Sequence, residues 1–337
     1  MLNGTNPSLP PQSLQLSVVV PVYGSEDCLS ELVYELTQEL RSAGWTYEII
    51  LVNDFSPDGS WHVIESLCKQ YPCVVGIDLR RNFGQDNAIL TGIRHTRGSY
   101  VAVMDDDLQH DPKYLRELVH KAGEGFDVVL ADFRTKKQKA WKNLGSWING
   151  KIAERVLYKP KDVYLSPYKV IRRDVAEMIC QYLGPTAYID GLLFQATWRV
   201  TSISVEHRTR YAGQGNYGFW RSAAVTARLL FSFSVRPVRL VAWIGIVTSC
   251  LAIIGGAFAV AFRLLAPESF PPQTVGWASL IVTILLLGGL QLLFLGILGE
   301  YVGRTYLCVN DKPQTSVRQV IDSAIYQEAM IRGDRDL

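Results

Sequence analysis

Tyr100-Val-Ala-Val-Met-Asp-Asp-Asp-Leu-Gln-His-Asp-Pro112 runs a short apolar strand, Tyr100 to Met104, straight into three aspartates. Adjacent carboxylates at the end of a buried strand repel one another and lose hydration, so positive charge has to be recruited there. A hard divalent cation, Mg2+ or Mn2+, answers that need, because it takes oxygen ligands and bridges protein carboxylates to substrate phosphates. Side chains alternate in an extended stretch, which would turn Asp105, Asp107 and Gln109 to one side as metal ligands. The bland alternative is a solvated acidic turn in front of a helix starting at Pro112. His110 reads as a flanking group, and the histidines at 62, 95, 110, 120 and 207 share no ligand spacing.

Outward from this stretch, apolar runs alternate with amphipathic segments, the pattern of βα units that build a largely parallel sheet. Strands are expected at Leu16–Val20, Glu48–Val52, Val74–Leu79, Tyr100–Met104 and Asp127–Ala131. Helices are expected at Cys28–Ser42, Ser60–Gln70, from Gln85 to Arg94, and from Pro112 to Gly123. In the first helix Leu29, Leu32, Val33, Leu36 and Leu40 recur at helical spacing. Polar residues follow the strands at one edge: Pro21 to Tyr23, Asp54, then Asp105 to Asp107. Ligands of open α/β sheets bind outside the carboxyl ends of the strands, so the site belongs at this edge.

Composition sets the outer limits. A formal net charge of +2 over 337 residues lacks the basic excess of a nucleic-acid binder. The cysteines at 28, 68, 73, 180, 250 and 308 form no CxxC or zinc spacing and read as reduced thiols. Residues 1–15 are polar, with neither a basic start nor an apolar core, which is not the pattern of a signal peptide. Val241–Ala261 and Thr274–Gly299 contain no charged residue, and each is long enough to cross about 30 Å of hydrocarbon as a helix. The loop between them, 267–273, carries no Lys or Arg, while Arg236, Arg239 and Arg304 flank the pair; the positive-inside rule therefore puts both termini in the cytoplasm. Phe219 to Arg239 mixes aromatic, aliphatic and arginine residues as an interfacial helix does. The expected organisation is a flexible N-terminus at 1–15, a cytoplasmic catalytic domain at 16–217, and interfacial amphipathic helices at 218–240. A two-helix transmembrane hairpin at 241–303 and a cytoplasmic tail at 304–337 complete it.

Six segments in order, Val18–Asp27, Ile50–Gly59, Arg81–Leu90, Met104–Pro112, Tyr188–Asp190 and Arg210–Tyr217, followed by two spans and Leu298–Arg304, carry a resemblance. Together they resemble glycosyltransferase family 2, and within it the polyprenyl-phosphate sugar transferases. The resemblance runs from about Leu16 to Pro313. It implies a GT-A type, Rossmann-like α/β catalytic domain with a mostly parallel sheet, together with interfacial helices and two transmembrane helices. It implies a nucleotide pocket of Pro21, Tyr23, Glu26, Asp54, Arg81, Gly84 and Gln85, with Asp106 against the nucleotide. Asp105, Asp107 and Gln109 would hold the metal on the donor diphosphate. The aspartate pair usual near residue 53 is here Asn53-Asp54, Ser25 stands where a glutamate often sits, and Gly215-Asn216 replaces the Ser-Lys that often precedes the tyrosine at 217.

The reaction so implied is inverting transfer of a sugar from a nucleotide sugar to polyprenyl phosphate at the cytoplasmic membrane face. UDP-glucose leads as donor, with UDP-galactose, a UDP-aminosugar and GDP-mannose behind it. The acceptor oxygen is already ionised at pH 7, so no strong general base is required. Arg134, Arg208, Arg210 and Lys169 are the candidates to counter the lipid phosphate, with Arg210 grouped with Asp105 and Asp107 as catalytic. A homo-oligomer, in the family a tetramer, is a further expectation. The rival readings are a processive polysaccharide synthase, against which the absence of a Q-x-x-R-W run counts, and a non-catalytic scaffold or flippase partner with a vestigial donor domain.

Overall fold

The computed structural model describes residues 14–133, 163–184, 187–206, 236–265, 277–310 and 313–322. Arg134, Arg208, Arg210 and the expected interfacial segment up to residue 235 lie outside the described residues. The chain divides into two compact units, residues 1–216 with 311–337, and residues 217–310.

The first unit is built on an eight-stranded sheet. Its centre is β1 (Leu16–Val22), every residue of which is buried, because both faces of a parallel strand are covered by helices. β2 (Tyr47–Asn53) and β3 (Val74–Leu79) continue the parallel ladder on one side of β1, and β4 (Tyr100–Val103) pairs parallel on the other. Beyond β4 the pattern changes. β6 (Lys169–Arg172) inserts antiparallel between β4 and β5 (Val128–Asp132), and β7 (Val200–Ser204) runs parallel to β5. The order across the sheet is β7-β5-β6-β4-β1-β2-β3-β8.

Helices α1 (Leu29–Ser42), α2 (Ser60–Gln70) and α3 (Gln85–Arg94) return the chain between the first four strands. The helix expected from Pro112 opens as a 3-10 turn, Pro112–Tyr114, before α4 (Leu115–Gly123). Two short helices, α5 (Arg173–Cys180) and α6 (Ile189–Ala196), follow β6. Each Leu, Ile or Val so buried contributes about 1.5–3 kcal/mol. Close approach of α3 depends on Gly92, where a Cβ would stand 2.5 Å from Val19 Cγ1 and 3.0 Å from Val52 Cγ2. That contact sets how closely α3 lies on β1 and β2.

The segment expected as a tail contains a strand. β8 (Val317–Asp322) pairs antiparallel with β3, Ile77 opposite Val320 and Asp78 opposite Gln319, and closes the sheet edge. Its exposed Arg318 and Gln319 hide it from any reading by apolar alternation.

The second unit holds α7 (Arg236–Leu265) and α8 (Trp277–Val309). Large apolar side chains on both helices, among them Leu251, Ile253 and Phe258 on α7 and Leu286, Leu292 and Leu293 on α8, are exposed. Among the described residues one stretch, Leu286–Val309, is long and apolar enough to cross a bilayer, and Val241–Gly255 is a shorter apolar run.

Candidate active site

The strand order reverses at β1, with β2 and β3 to one side and β4 to the other, and open α/β sheets place ligands at such a switch point. A cleft of about 320 Å³ lies there, lined by Pro21, Val22, Tyr23, Asp54, Asn82, Gly84, Gln85, Asp105, Asp106 and Asp107.

Each strand end contributes one wall. After β1 the chain turns at Gly24, whose φ of +70° only glycine adopts without strain. Tyr23, with 55% of its surface exposed, offers its ring to the cleft. Its backbone N–H donates to Asp106 Oδ2 at 3.1 Å, and Ser25 Oγ donates to the same oxygen. The serine that departs from the family pattern thus ties the β1 loop to the acid triplet.

After β2, Asp54 is nearly fully buried, and its two carboxylate oxygens accept the backbone N–H groups of Phe83 at 2.7 Å and Gly84 at 2.8 Å. Burial pushes its pKa above the usual carboxylate range, and the two backbone donors pull it back in part. Asn53, in place of the family's first aspartate, donates through Nδ2 to Asp78 Oδ1 at 2.7 Å. Asp78 is completely buried, so a second carboxylate at position 53 would repel it.

After β3, Gly84 has φ +89°, and Gln85 opens α3 with Nε2 donating to Asp105 Oδ1 at 2.7 Å. Asp86 and Asn87 accept the backbone N–H groups of Ile189 and Ala187, which fixes α3 to the start of α6.

After β4 the chain turns rather than continuing as a strand. β4 ends at Val103 and Leu108 has φ +59°, so the expected strict alternation of Asp105, Asp107 and Gln109 does not hold. The turn instead brings Asp105, Asp106 and Asp107 together to the cleft wall. Gln109 donates to Asp107, backbone N–H at 3.2 Å and side chain to the second oxygen, and is not among the lining residues. Asp105 is pushed up to about 7, by burial first and then by the charges of Asp107 and Asp106, against the opposing charge of Lys169. Asp106 is also raised, by burial foremost.

Lys169 lies next to Val103 in the β4–β6 pairing, which explains its influence on Asp105. It is only 3% exposed and ion-paired with Asp190, the last residue of the Tyr188–Asp190 segment. Glu26 is exposed and accepts Gly59 N–H at 2.8 Å, and Arg81 stacks its guanidinium 4.6 Å over Phe83; neither lines the cleft. Sequence reasoning gave no role to Asn82, Asp190 or Val22. The signal for Asn82 was its place in the loop after β3, while the partner of Asp190 comes from a strand insertion no local pattern announces.

The oxygen-rich triplet, with Asp105 holding its proton to about 7 for want of compensating charge, fits a hard divalent ion. Among the described residues no group of three His, Cys, Asp or Glu side chains meets the spacing of a complete metal site. Mg2+ commonly binds through one or two carboxylates, with waters and substrate phosphates completing its shell.

Glycosyl transferase family 2 matches residues 17–179 of this chain. The uncharacterized glycosyltransferase sll0501 of Synechocystis sp. is 31% identical over 305 residues, covering 89% of this chain and 94% of that protein. The chain belongs to glycosyltransferase family 2. Among solved structures similar to this family 2 enzyme is glucosyl-3-phosphoglycerate synthase from Mycobacterium tuberculosis, in complex with Mn2+, UDP and phosphoglyceric acid. It is 18% identical, with a TM-score of 0.49 over 65% of this chain and 76% of that one. S. aureus TarS 1-349 in complex with UDP is 18% identical, with a TM-score of 0.42 over 66% and 67% of the two chains.

Proposed function

We propose that this family 2 glycosyltransferase moves a sugar, with inversion, from a nucleoside diphosphate sugar to the phosphate of a polyprenyl phosphate at a membrane surface. The observation that carries the reading is the convergence of Tyr23, Asp54, Gln85 and the Asp105–Asp107 turn on one cleft at the β1/β4 switch point. UDP-glucose is the first donor to test.

In this reading the exposed Tyr23 ring packs against the base, and Asp54 shapes the floor by holding the Phe83–Gly84 turn. Asp105 and Asp107 would hold a divalent cation, Mg2+ or Mn2+, with Gln85 orienting the first and Gln109 buttressing the second. When bound, that ion supplies Lewis acidity to the departing diphosphate. The acceptor oxygen arrives ionised, so the protein need only position it and exclude water. Lys169 is buried against Asp190 and would have to leave it to reach a lipid phosphate, which favours Arg134, Arg208 and Arg210 as acceptor ligands.

The membrane part of the proposal draws on chain connectivity. β8 shares a sheet with residues 16–204, so a chain that leaves this unit after residue 216 has returned to it by residue 317. Any crossing of a bilayer between those points must therefore occur an even number of times. If Leu286–Val309 crosses, a second crossing is required, and among the described residues α7 supplies it; at 30 residues it spans about 45 Å, beyond the roughly 30 Å required. In this reading the α/β unit lies on one side of the bilayer, and the flanking Arg236, Arg239 and Arg304 support the cytoplasmic one.

The experiment is transfer by the full chain in lipid, with a panel of nucleotide sugars, polyprenyl phosphate and Mg2+ or Mn2+, and mass detection of the product lipid. A sugar-phospholipid formed from one donor supports the reading. A folded preparation that turns over none of them overturns it.

A further inference from the structure

We infer that Arg318, on the strand that follows α8, is a positioning residue of the donor cleft, acting through Asp78 and Asn53 on the loop that carries Asp54. The assignment rests on the donor reading above.

The connection can be followed atom by atom. Arg318 Nε donates to Asp78 Oδ2. Asp78 has no exposed surface, and its other oxygen accepts Asn53 Nδ2 at 2.7 Å. The Asn53 amide is thereby turned so that its own Oδ1 accepts the backbone N–H of Ser56 at 3.2 Å. Ser56 Oγ in turn accepts Gly24 N–H at 3.2 Å, from the loop beside Tyr23. Between Asn53 and Ser56 lie Asp54, which lines the cleft, and Phe55, a non-glycine residue at φ +57°. A left-handed phenylalanine persists only where its surroundings over-determine it, and the Asn53–Ser56 bond spans that residue.

Charge explains why an arginine is needed. A fully buried carboxylate is tolerated when a cation and a hydrogen-bond donor share it, and it rearranges when the cation is removed. Without the guanidinium, Asp78 loses the partner that fixes its carboxylate plane, and Asn53 loses the acceptor that sets its amide. The Asp54 turn is then free to shift.

The segment 313–322 that contains this strand is fastened at other points too. Gln314 accepts from Arg94 at 2.8 Å, and Thr315 Oγ1 lies 2.9 Å from Thr91 Oγ1, both on α3, whose first residue contacts Asp105. Asp322 pairs with Arg97 at 3.2 Å. Of these contacts, the one from Arg318 leads to the nucleotide loop itself. Chain that follows the helical unit thus braces a loop of the site from behind.

The test uses the full chain in lipid, with donor titrated at saturating polyprenyl phosphate, acceptor titrated at saturating donor, UDP binding by calorimetry, and thermal unfolding. For Arg318→Ala the donor KM and the Kd for UDP are expected to rise together by about five- to tenfold, the size of one misaimed hydrogen bond, with acceptor KM unchanged. The double variant Asp78→Asn with Arg318→Gln keeps an acceptor for Asn53 and an uncharged bond between the strands, and is expected to recover donor KM. A lowered Tm with donor KM and UDP affinity unchanged would reduce Arg318 to a structural residue and overturn the assignment, as would a folded double variant with donor KM still raised. A wild-type chain that binds no UDP and turns over no donor overturns the functional reading as well.

Discussion

The Nδ1 atom of His110 accepts the backbone N–H of Asp105 at 3.0 Å. The ring is stacked between Phe133 and Tyr168, at centroid distances of 5.6 and 5.0 Å, so the acceptor cannot swing away. Acceptance at Nδ1 places the proton of the neutral imidazole on Nε2, which lies 4.0 Å from Asp105 Oδ2. The histidine therefore fixes where the first carboxylate of the triplet begins its turn.

Removing that acceptor leaves a buried N–H unsatisfied and a hole between two aromatic rings. His110→Ala is expected to lower kcat by about ten- to a hundredfold, corresponding to the 1–3 kcal/mol typical of an orphaned buried donor. His110→Asn, which offers an acceptor of similar reach, is expected to recover part of it. Steady-state kinetics with both variants at saturating metal checks this; equal activity in His110→Ala and wild type contradicts it.

Asp107→Ala is expected to abolish transfer, by about a thousandfold or more, while the fold survives. Asp107 sits at the end of a turn rather than in the core, and Gln109 is one partner it would leave behind. Turnover and thermal unfolding measured side by side separate the two effects. Wild-type turnover in this variant would remove the metal assignment.

The acidity of Asp105 gives a pH signature. Its folded-state value of about 7 lies well above the usual carboxylate value near 3.9, so between those limits the metal-free folded chain holds a proton that the unfolded chain releases. The contribution of this group to stability therefore falls as pH rises through that window and is lowest above about pH 7. A bound cation takes the proton's place, so the Tm gained on adding Mn2+ is expected to be larger at about pH 8 than at about pH 5.5. Thermal unfolding with and without Mn2+ at both values is the measurement; a gain independent of pH would contradict it.

Much of this site can be read from the sequence because it is local. β1 to β4 announce themselves as buried apolar runs, and residues at their ends and in the loops that follow line the cleft. Leu108 is where such reading breaks down: nothing in a leucine signals φ +59°, and the turn it makes replaces the expected alternation with a convergence of three aspartates. Lys169 and Asp190 meet because β6 inserts antiparallel between β4 and β5, a pairing fixed by long-range register. β8 is invisible for a related reason. An edge strand with Arg318 and Gln319 exposed has no apolar pattern, and only the open edge of β3 defines it.

Asp54 offers the sharpest single-atom test. Its two oxygens each accept a backbone N–H, from Phe83 and Gly84, so both must be acceptors. Asp54→Asn keeps the size but turns one of them into a donor facing another donor. Facing Phe83, that donor removes the acceptor of its N–H in a buried place and costs about 1–3 kcal/mol of stability; facing Gly84 it costs less, because that N–H also reaches Asn82 Oδ1 at 3.1 Å. The cost falls on the turn that carries Gly84 and aims Gln85 at Asp105, so nucleotide affinity and the metal response are expected to weaken together. Calorimetric titration of UDP in the presence of Mn2+, alongside thermal unfolding, checks both. A variant with lowered Tm but wild-type affinity would mean that Asp54 braces the loop without shaping the pocket.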